Sequence, residues 1–313
     1  MNLLTKDEIV ARFDAARAVR MIEAGFVAYS RGETQVPPVQ NFQFADADGD
    51  CCIKSAHMAG ADTFVVKVST GFYRNPSHGL PSNNGLMLAL SARTGEPLAL
   101  LQDEGWLTCV RTALAGQIVA RLLAPTHVDA IGIVGTGEQA RLQLDHLRAV
   151  TACRDVHVWG RSDAALGAYA AFAESLGFRV HPQRDADKVA RHANLIVTTT
   201  PSRQALLSRD AIRPGTHITT VGADGPGKQE LDPRIIGAAD IVVADSIAQC
   251  SAYGEIAHAV SARLIEKEAL VELGVALARG GRLRQNDTQI TVADLTGVAV
   301  QDSAIAASVL NAG

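Results

Sequence analysis

Long runs of any one kind are missing from this chain. Its 29 Lys and Arg against 33 Asp and Glu give a net charge of −4 with no long basic tract, which argues against a nucleic-acid partner or an anionic-membrane surface. No apolar stretch has the length of a membrane span, and no signal-peptide pattern is present. Cysteine is scarce: Cys51, Cys52, Cys109, Cys153 and Cys250 are odd in number and show no CxxC spacing. They read as buried or free thiols in a reducing cytoplasm. The nine histidines form no HxxxH or HExxH pair, so no metal is expected. Internal repeats and low-complexity tracts are also missing. What remains is a chain of 313 residues, long enough for two domains.

The most informative stretch is 128–150. Ile131, Ile133 and Val134 read as a short apolar strand, Gly135-Thr136-Gly137 breaks it, and Ala140 opens a helix carrying Leu142, Leu144 and Leu147. A strand, a glycine turn and a helix N-terminus, in that order, suit a dinucleotide pyrophosphate. Gly135 permits the tight turn, Gly137 lets the backbone approach phosphate, and Ala140 allows helix and strand to pack closely. The helix dipole and its unpaired N–H groups favour the anion. An ordinary βα turn is the bland alternative.

Alternation of strand and helix continues from there. Strands are expected at Val156–Trp159, Leu195–Thr198, His217–Val221 and Ile241–Ala244, with polar residues after each. This is the pattern of a doubly wound parallel sheet that binds ligands at its carboxyl edge. After the second strand, where an acid would favour NAD, stands Arg161-Ser162. Arg161 suits a 2′-phosphate, so NADP(H) is slightly favoured over NAD(H).

Upstream, Thr5 to Glu8 spells a capping box, and a helix follows with Val19, Ile22 and Phe26 on one face. Val39–Phe44 and Cys51–Ala56 form a hairpin whose turn holds Asp48-Gly49; the acidic cluster there has the wrong spacing for calcium. Lys67 lies inside the strong strand pattern Phe64–Ser69. It is either solvated on an edge or else paired or used, because burying it bare is costly. Thr108 is the expected N-cap of a helix with Arg111 and Thr112 in its first turn. Arg111 there opposes the helix dipole unless an anion sits beside it, or unless Asp103 or Glu104 pairs with it. The apolar terminal helix, from Val298 through Val309, is expected to dock on the N-terminal region.

Taken together, Lys67-Val68-Ser69, Gly79-Leu80-Pro81-Ser82, Leu107 through Ala113, Gly135 through Ala140, Val221-Gly222-Ala223-Asp224 through Asp232, and Thr296-Gly297 resemble the ornithine cyclodeaminase/mu-crystallin family, in order and over nearly the whole chain. The resemblance implies an α/β chain in which a Rossmann doubly wound parallel sheet, residues 119–288, is inserted in a second α/β substrate-binding and dimerisation domain, residues 1–118 plus 289–313. It implies a cytoplasmic homodimer binding NAD(P) and an amino-acid or imino-acid substrate in the cleft between the domains.

By the same resemblance, Asp224 and Lys67 are the catalytic residues, Asp224 as the acid/base, while Lys67 and Arg111 hold the substrate, with Lys54 and Gln40 beside them. Ser82, Arg111, Thr112, Gly135, Thr136, Gly137, Glu138, Gln139, Arg161, Ser162, Thr198, Thr200, Val221, Gly222, Lys228 and Thr296 line the cofactor. The expected reaction is NAD(P)-dependent deaminating cyclisation of an amino acid such as ornithine, by hydride transfer at the α-carbon. The alternative is reduction of a ketimine or pyrroline carboxylate, or amino-acid dehydrogenation; a non-enzymatic nucleotide-binding protein is the remote one. One departure stands out: the family's Pro-x-Arg is Pro38-Val39-Gln40 here. The substitution, with Lys54 as a candidate replacement cation, is similar to the cyclodeaminase-like proteins of ectoine utilisation.

Overall fold

A computed structural model describes residues 1–311. The chain divides into two units, one made of Met1–Arg111 and the segment from Val298, the other of Thr112–Gly297.

The first unit is built on a seven-stranded sheet. Its strands are β1 (Asn2–Thr5), β2 (Thr34–Gln35), β3 (Gln40–Phe44), β4 (Gly49–Met58), β5 (Thr63–Phe72), β6 (Asn83–Ser91) and β7 (Pro97–Gln102), in the order β1-β7-β6-β5-β4-β2, with β3 also on β4. Every pairing is antiparallel except β1 with β7. The β3–β4 hairpin turns through Asp48, at φ 48°. Helix α1 (Lys6–Arg12) starts on the capping box of Thr5 and Glu8. Helix α2 (Ala15–Ser30) buries Val19, Ile22 and Phe26 on one stripe.

The C-terminal helix, Ala299–Leu310, is buried almost all round and packs between α2 and strands β4 and β5. Small residues make this close approach feasible: Gly25 of α2 faces Val300 and Ala304. Ser303 Oγ donates to the Ala56 carbonyl of β4 at 2.9 Å. A helix wet on no side must satisfy each polar side chain within the protein. That makes the run Gln301-Asp302-Ser303 conspicuous in it.

Helix α3 (Trp106–Leu123) runs from the first unit into the second. It starts earlier than Thr108. Asp103 caps it, Oδ2 accepting from Leu107 N at 2.7 Å, after Glu104 and Gly105 turn the chain at φ 55° and 81°. Arg111 therefore lies in the second turn rather than the first.

The second unit carries an all-parallel sheet. In chain order it contains β8 (Ile131–Val134), α4 (Glu138–Leu147), β9 (Asp155–Trp159), α5 (Asp163–Ser175), β10 (Arg179–Gln183), α6 (Ala186–His192), β11 (Leu195–Thr198), β12 (Arg203–Leu207), β13 (His217–Thr220), β14 (Gln229–Leu231), α7 (Pro233–Gly237), β15 (Ile241–Ala244), α8 (Ile247–Cys250), α9 (Glu255–Ser261), β16 (Val271–Glu272), α10 (Leu273–Arg279) and β17 (Thr291–Asp294). The sheet order is β10-β9-β8-β11-β13-β17-β15-β16, with β12 and β14 paired apart. The order reverses between β8 and β11, the switch point where such sheets open a crevice for ligands.

Strand β17 corrects one expectation. Residues from 289 were expected with the substrate domain, but β17 lies inside this sheet between β13 and β15, all four of its residues buried. A strand covered on both faces belongs to the sheet that pairs it. The chain accordingly leaves the second unit at Gly297 and enters it at Thr112 rather than at 119.

Candidate active site

Strand alternation places Val65 and Lys67 of β5 on the buried face of the first sheet, beside Met87 and Ala89 of β6. In register, Lys54 of β4 stands directly opposite Lys67. Both are inside, at 6% and 1% exposure. Like charges directly opposite each other repel, and burial magnifies the repulsion.

The counter-charge comes from the far end of the chain. Asp302 of the C-terminal helix meets Lys67 Nζ with Oδ2 at 3.1 Å and Arg111 Nε with Oδ1 at 3.0 Å. Arg111 Nη1 also donates to Gln301 Oε1 at 3.3 Å. One carboxylate thus holds a lysine and an arginine. Gln301 Nε2 is buried and meets no acceptor, and the same is true of Asp103 Oδ1 for a donor.

The electrostatics follow from this packing. Burial draws the Lys67 ammonium down to about 8, with Arg111 and Lys54 adding to the effect and Asp302 opposing it. Burial pushes the Asp302 carboxyl up, but Lys67, Arg111 and Lys54 outweigh it and hold the group below the ordinary carboxylate range. Burial raises the Asp103 carboxyl, with Lys67 pulling the other way. The pairing of Arg111 with Asp302 replaces the expected alternative of Asp103 or Glu104. Lys67 is a central-strand residue, not a solvated edge one.

Gln40 is not brought to this cluster. It is exposed and pairs with Ile53, so it shares the face of Ile53 and points away from Lys54. Ser82 lies half-buried at the end of the loop 73–82, its carbonyl accepting from Phe72 N at 2.7 Å.

In the second unit, the turn after β8 has the shape a pyrophosphate requires. Gly135 sits at φ 127°, and a Cβ there would strike Thr199. Gly137 faces open space, and as N-cap of α4 it offers no side chain to the helix. Ala140 is fully buried against the sheet. A cradle that a Cβ would close, leading to a helix N-terminus without a side-chain cap, fits an anionic dinucleotide. Thr136, Glu138 and Gln139 line the same turn; Gln143 donates within α4 to Gln139 Oε1 at 3.3 Å and ties α4 to α3 by donating to the Thr112 carbonyl at 3.1 Å.

After β9, Arg161 and Ser162 are exposed, and Ser162 caps α5. Arg184, beyond β10, donates to the Gly160 carbonyl at 3.3 Å. This places a second guanidinium next to the Arg161 backbone.

The loop after β13 runs through Val221 and Gly222 to Asp224. Lys228 Nζ donates to Asp224 Oδ1 at 2.6 Å. Glu230 braces the loop from below. It accepts from Thr200 N at 2.6 Å, Thr198 Oγ1 at 2.7 Å and Gly222 N at 3.0 Å. Burial still raises it to about 7, against those donors. Thr198 and Thr296 are themselves buried; Thr296 Oγ1 donates to Asp245 Oδ1 at 3.1 Å.

Sequence reasoning missed Asp302, Gln301 and Glu230. The signal for the first two was present, since a Gln-Asp-Ser run interrupts an apolar helix. Glu230 lies inside the 221–232 motif, but its role was not legible, because its partners lie up to 32 residues away. Among the described residues, no group of three or more His, Cys, Asp or Glu is placed to hold a metal, and no helix is long and apolar enough to cross a membrane.

Comparison with known proteins agrees with this architecture. The pattern described as the ornithine cyclodeaminase/mu-crystallin family matches residues 2–312. An uncharacterized cyclodeaminase of Sinorhizobium fredii is 39% identical over 316 aligned positions, covering 98% of this chain and 94% of its own. The structure of an archaeal alanine dehydrogenase dimer with bound NAD superposes with a TM-score of 0.90 at 34% identity, covering 100% of this chain and 95% of that one. That of the iminosuccinate reductase of Paracoccus denitrificans in complex with NAD+ does so with a TM-score of 0.88 at 30% identity, covering 100% and 96%.

Proposed function

Because the chain belongs to the ornithine cyclodeaminase/mu-crystallin family and is an enzyme of it, we propose that it reduces a 2-imino acid to the 2-amino acid with a nicotinamide dinucleotide, NADP(H) in preference to NAD(H). The observation that carries the reading is the pair of buried cations, Lys67 and Arg111, on the two oxygens of one carboxylate. Such a pair suits a second carboxylate, that of a substrate; Arg in particular grips a carboxylate with a planar fork. The dehydrogenase and the reductase above, both about one third identical to this chain, have names that fit the same substrate class.

Lys67 and Arg111 fix the α-carboxylate and so orient the adjacent C=N bond. Fixing one end of a small substrate is how orientation lowers a barrier. The bound cofactor supplies the hydride that adds to the α-carbon. Asp224 handles the proton at the nitrogen, its carboxylate steadied by Lys228. The turn of Gly135 to Gln139 holds the pyrophosphate, and Arg161 with Arg184 faces the 2′-phosphate. We assign the protein to the cytoplasm and to a homodimer, as the archaeal neighbour is a dimer.

Deaminating cyclisation of a diamino acid is the second reading, favoured by the likeness to a protein named a cyclodeaminase. One assay separates the two. Purified protein with NADPH and either pyrroline-2-carboxylate or a 2-oxo acid plus amine is expected to consume NADPH. Ammonia and proline formed from L-ornithine and NAD+ with no net NADH, in protein that leaves every imino acid untouched, would overturn reduction in favour of cyclisation.

A further inference from the structure

On the reading that Lys67 and Arg111 hold the substrate carboxylate, we propose that Asp302 is the positioning residue of that site, its two oxygens setting the ammonium and the guanidinium at a fixed spacing before substrate arrives. The geometry carries it. Asp302 is 2% exposed; its Oδ2 forms an ion pair with Lys67 Nζ at 3.1 Å, outside hydrogen-bond geometry, and its Oδ1 accepts a hydrogen bond from Arg111 Nε at 3.0 Å. Gripped at Nε, the arginine keeps its Nη edge for other acceptors, and Gln301, one residue earlier, steadies Nη1 at 3.3 Å.

The second observation is independent. Gln301 Nε2 is a fully buried donor with no acceptor. Such a group is costly to leave unfilled, and a bound carboxylate oxygen would fill it. Asp302 also offsets the repulsion between Lys67 and Lys54, which face each other across β4 and β5. The charged and titratable groups acting on Lys67 are Lys54 and Cys52 of β4, Arg111 of α3, Asp103 before α3, and Asp302. Asp302 is the carboxylate in direct contact with it.

Asp302→Asn and Asp302→Glu test the assignment. Kinetics of imino-acid reduction across pH are paired with NMR titration of lysine labelled at Cε, the Lys67 signal being identified by its loss in Lys67→Met. In Asp302→Asn the KM for the imino acid should rise about tenfold or more, with nucleotide affinity unchanged, and the alkaline limb of kcat/KM and the Lys67 titration should both move down by about one pH unit or more. Asp302→Glu should keep the titration near its original place while KM still rises. Loss of kcat at every pH with neither limb nor titration moved would mean that Asp302 only packs, and would overturn the proposal. Should the wild type reduce no imino acid, the functional reading fails, yet the NMR arm still decides: a Lys67 titration unmoved by Asp302→Asn sinks the positioning role. If Asp302→Asn does not fold, Asp302→Glu with a wild-type KM overturns it.

Discussion

Arg161 is exposed, just after β9, where a dinucleotide fold reads the adenosine ribose. No acid occupies the position, and Arg184 contributes a second guanidinium nearby through the Gly160 carbonyl. Arg161→Ala should therefore raise the KM for NADPH about tenfold, the worth of one charge-assisted contact to phosphate, while the KM for NADH changes little. Equal changes for both nucleotides would remove Arg161 from cofactor choice. Residues of this kind were readable in the sequence because their signal is local: a glycine turn, a strand end, a lysine inside a strand. Asp302 was not, since it lies 191 positions from the arginine it binds, and only the folded helix brings them together.

At the scale of elements, buried acids hold the ends of the second sheet. Asp294, ending β17, accepts from Thr220 Oγ1 and Ile256 N at 2.9 Å each, and Glu230 joins the ends of β11 and β13. Burial raises Asp294 and Glu230 to about 7, from ordinary values of 3.8 and 4.5. Raised groups bind their proton more tightly when folded, so their contribution is full below the ordinary carboxylate range and is lost as pH climbs through about 7. The half-buried His157 and the buried His217, lowered to about 4 and 3, act in the opposite sense, so the test is the Tm of the wild type relative to Glu230→Gln, which should fall between pH 5 and about 8. A difference flat across that window would show Glu230 ionised without penalty in the fold. Glu230→Gln puts an NH2 group where donors converge and should cost about 1–3 kcal/mol in chemical denaturation.

The longer buried strands were legible, because alternating or continuous apolar runs announce them; the short or half-exposed β1, β2, β10, β12, β14 and β16 carry no such run and were not legible. Their grouping was less so. β17 follows a long segment of loops and short helices, and nothing in Thr291–Asp294 says which sheet will take it. The start of α3 shows the same limit. Thr108 is a respectable cap by type, but the left-handed pair Glu104-Gly105 delivers Asp103 to the helix first.

For the molecule as a whole, exposed apolar side chains are concentrated in the first unit. Phe42 and Phe44 of β3, Leu80, and Leu86 of β6 stand at 49%, 43%, 56% and 36% exposure. Apolar surface of this kind, on the outer strand β3, a loop and the inner strand β6, is what a second copy would cover. Light scattering should give twice the chain mass, and Phe42→Asp with Phe44→Asp should shift the protein toward monomer. An unchanged mass for the double variant would move the interface elsewhere.

The order of synthesis has a bearing on how this chain assembles. Residues 112–297 form an uninterrupted unit, whereas the helix Ala299–Leu310 that fills the other unit leaves the ribosome after that unit is complete. During translation the lysine and arginine of the earlier unit wait without their shared anion until Asp302 emerges. The nucleotide-type sheet is thus free to mature first. A nascent chain stalled short of 298 would hold a finished sheet in its second unit while residues 1–111 still lacked Asp302.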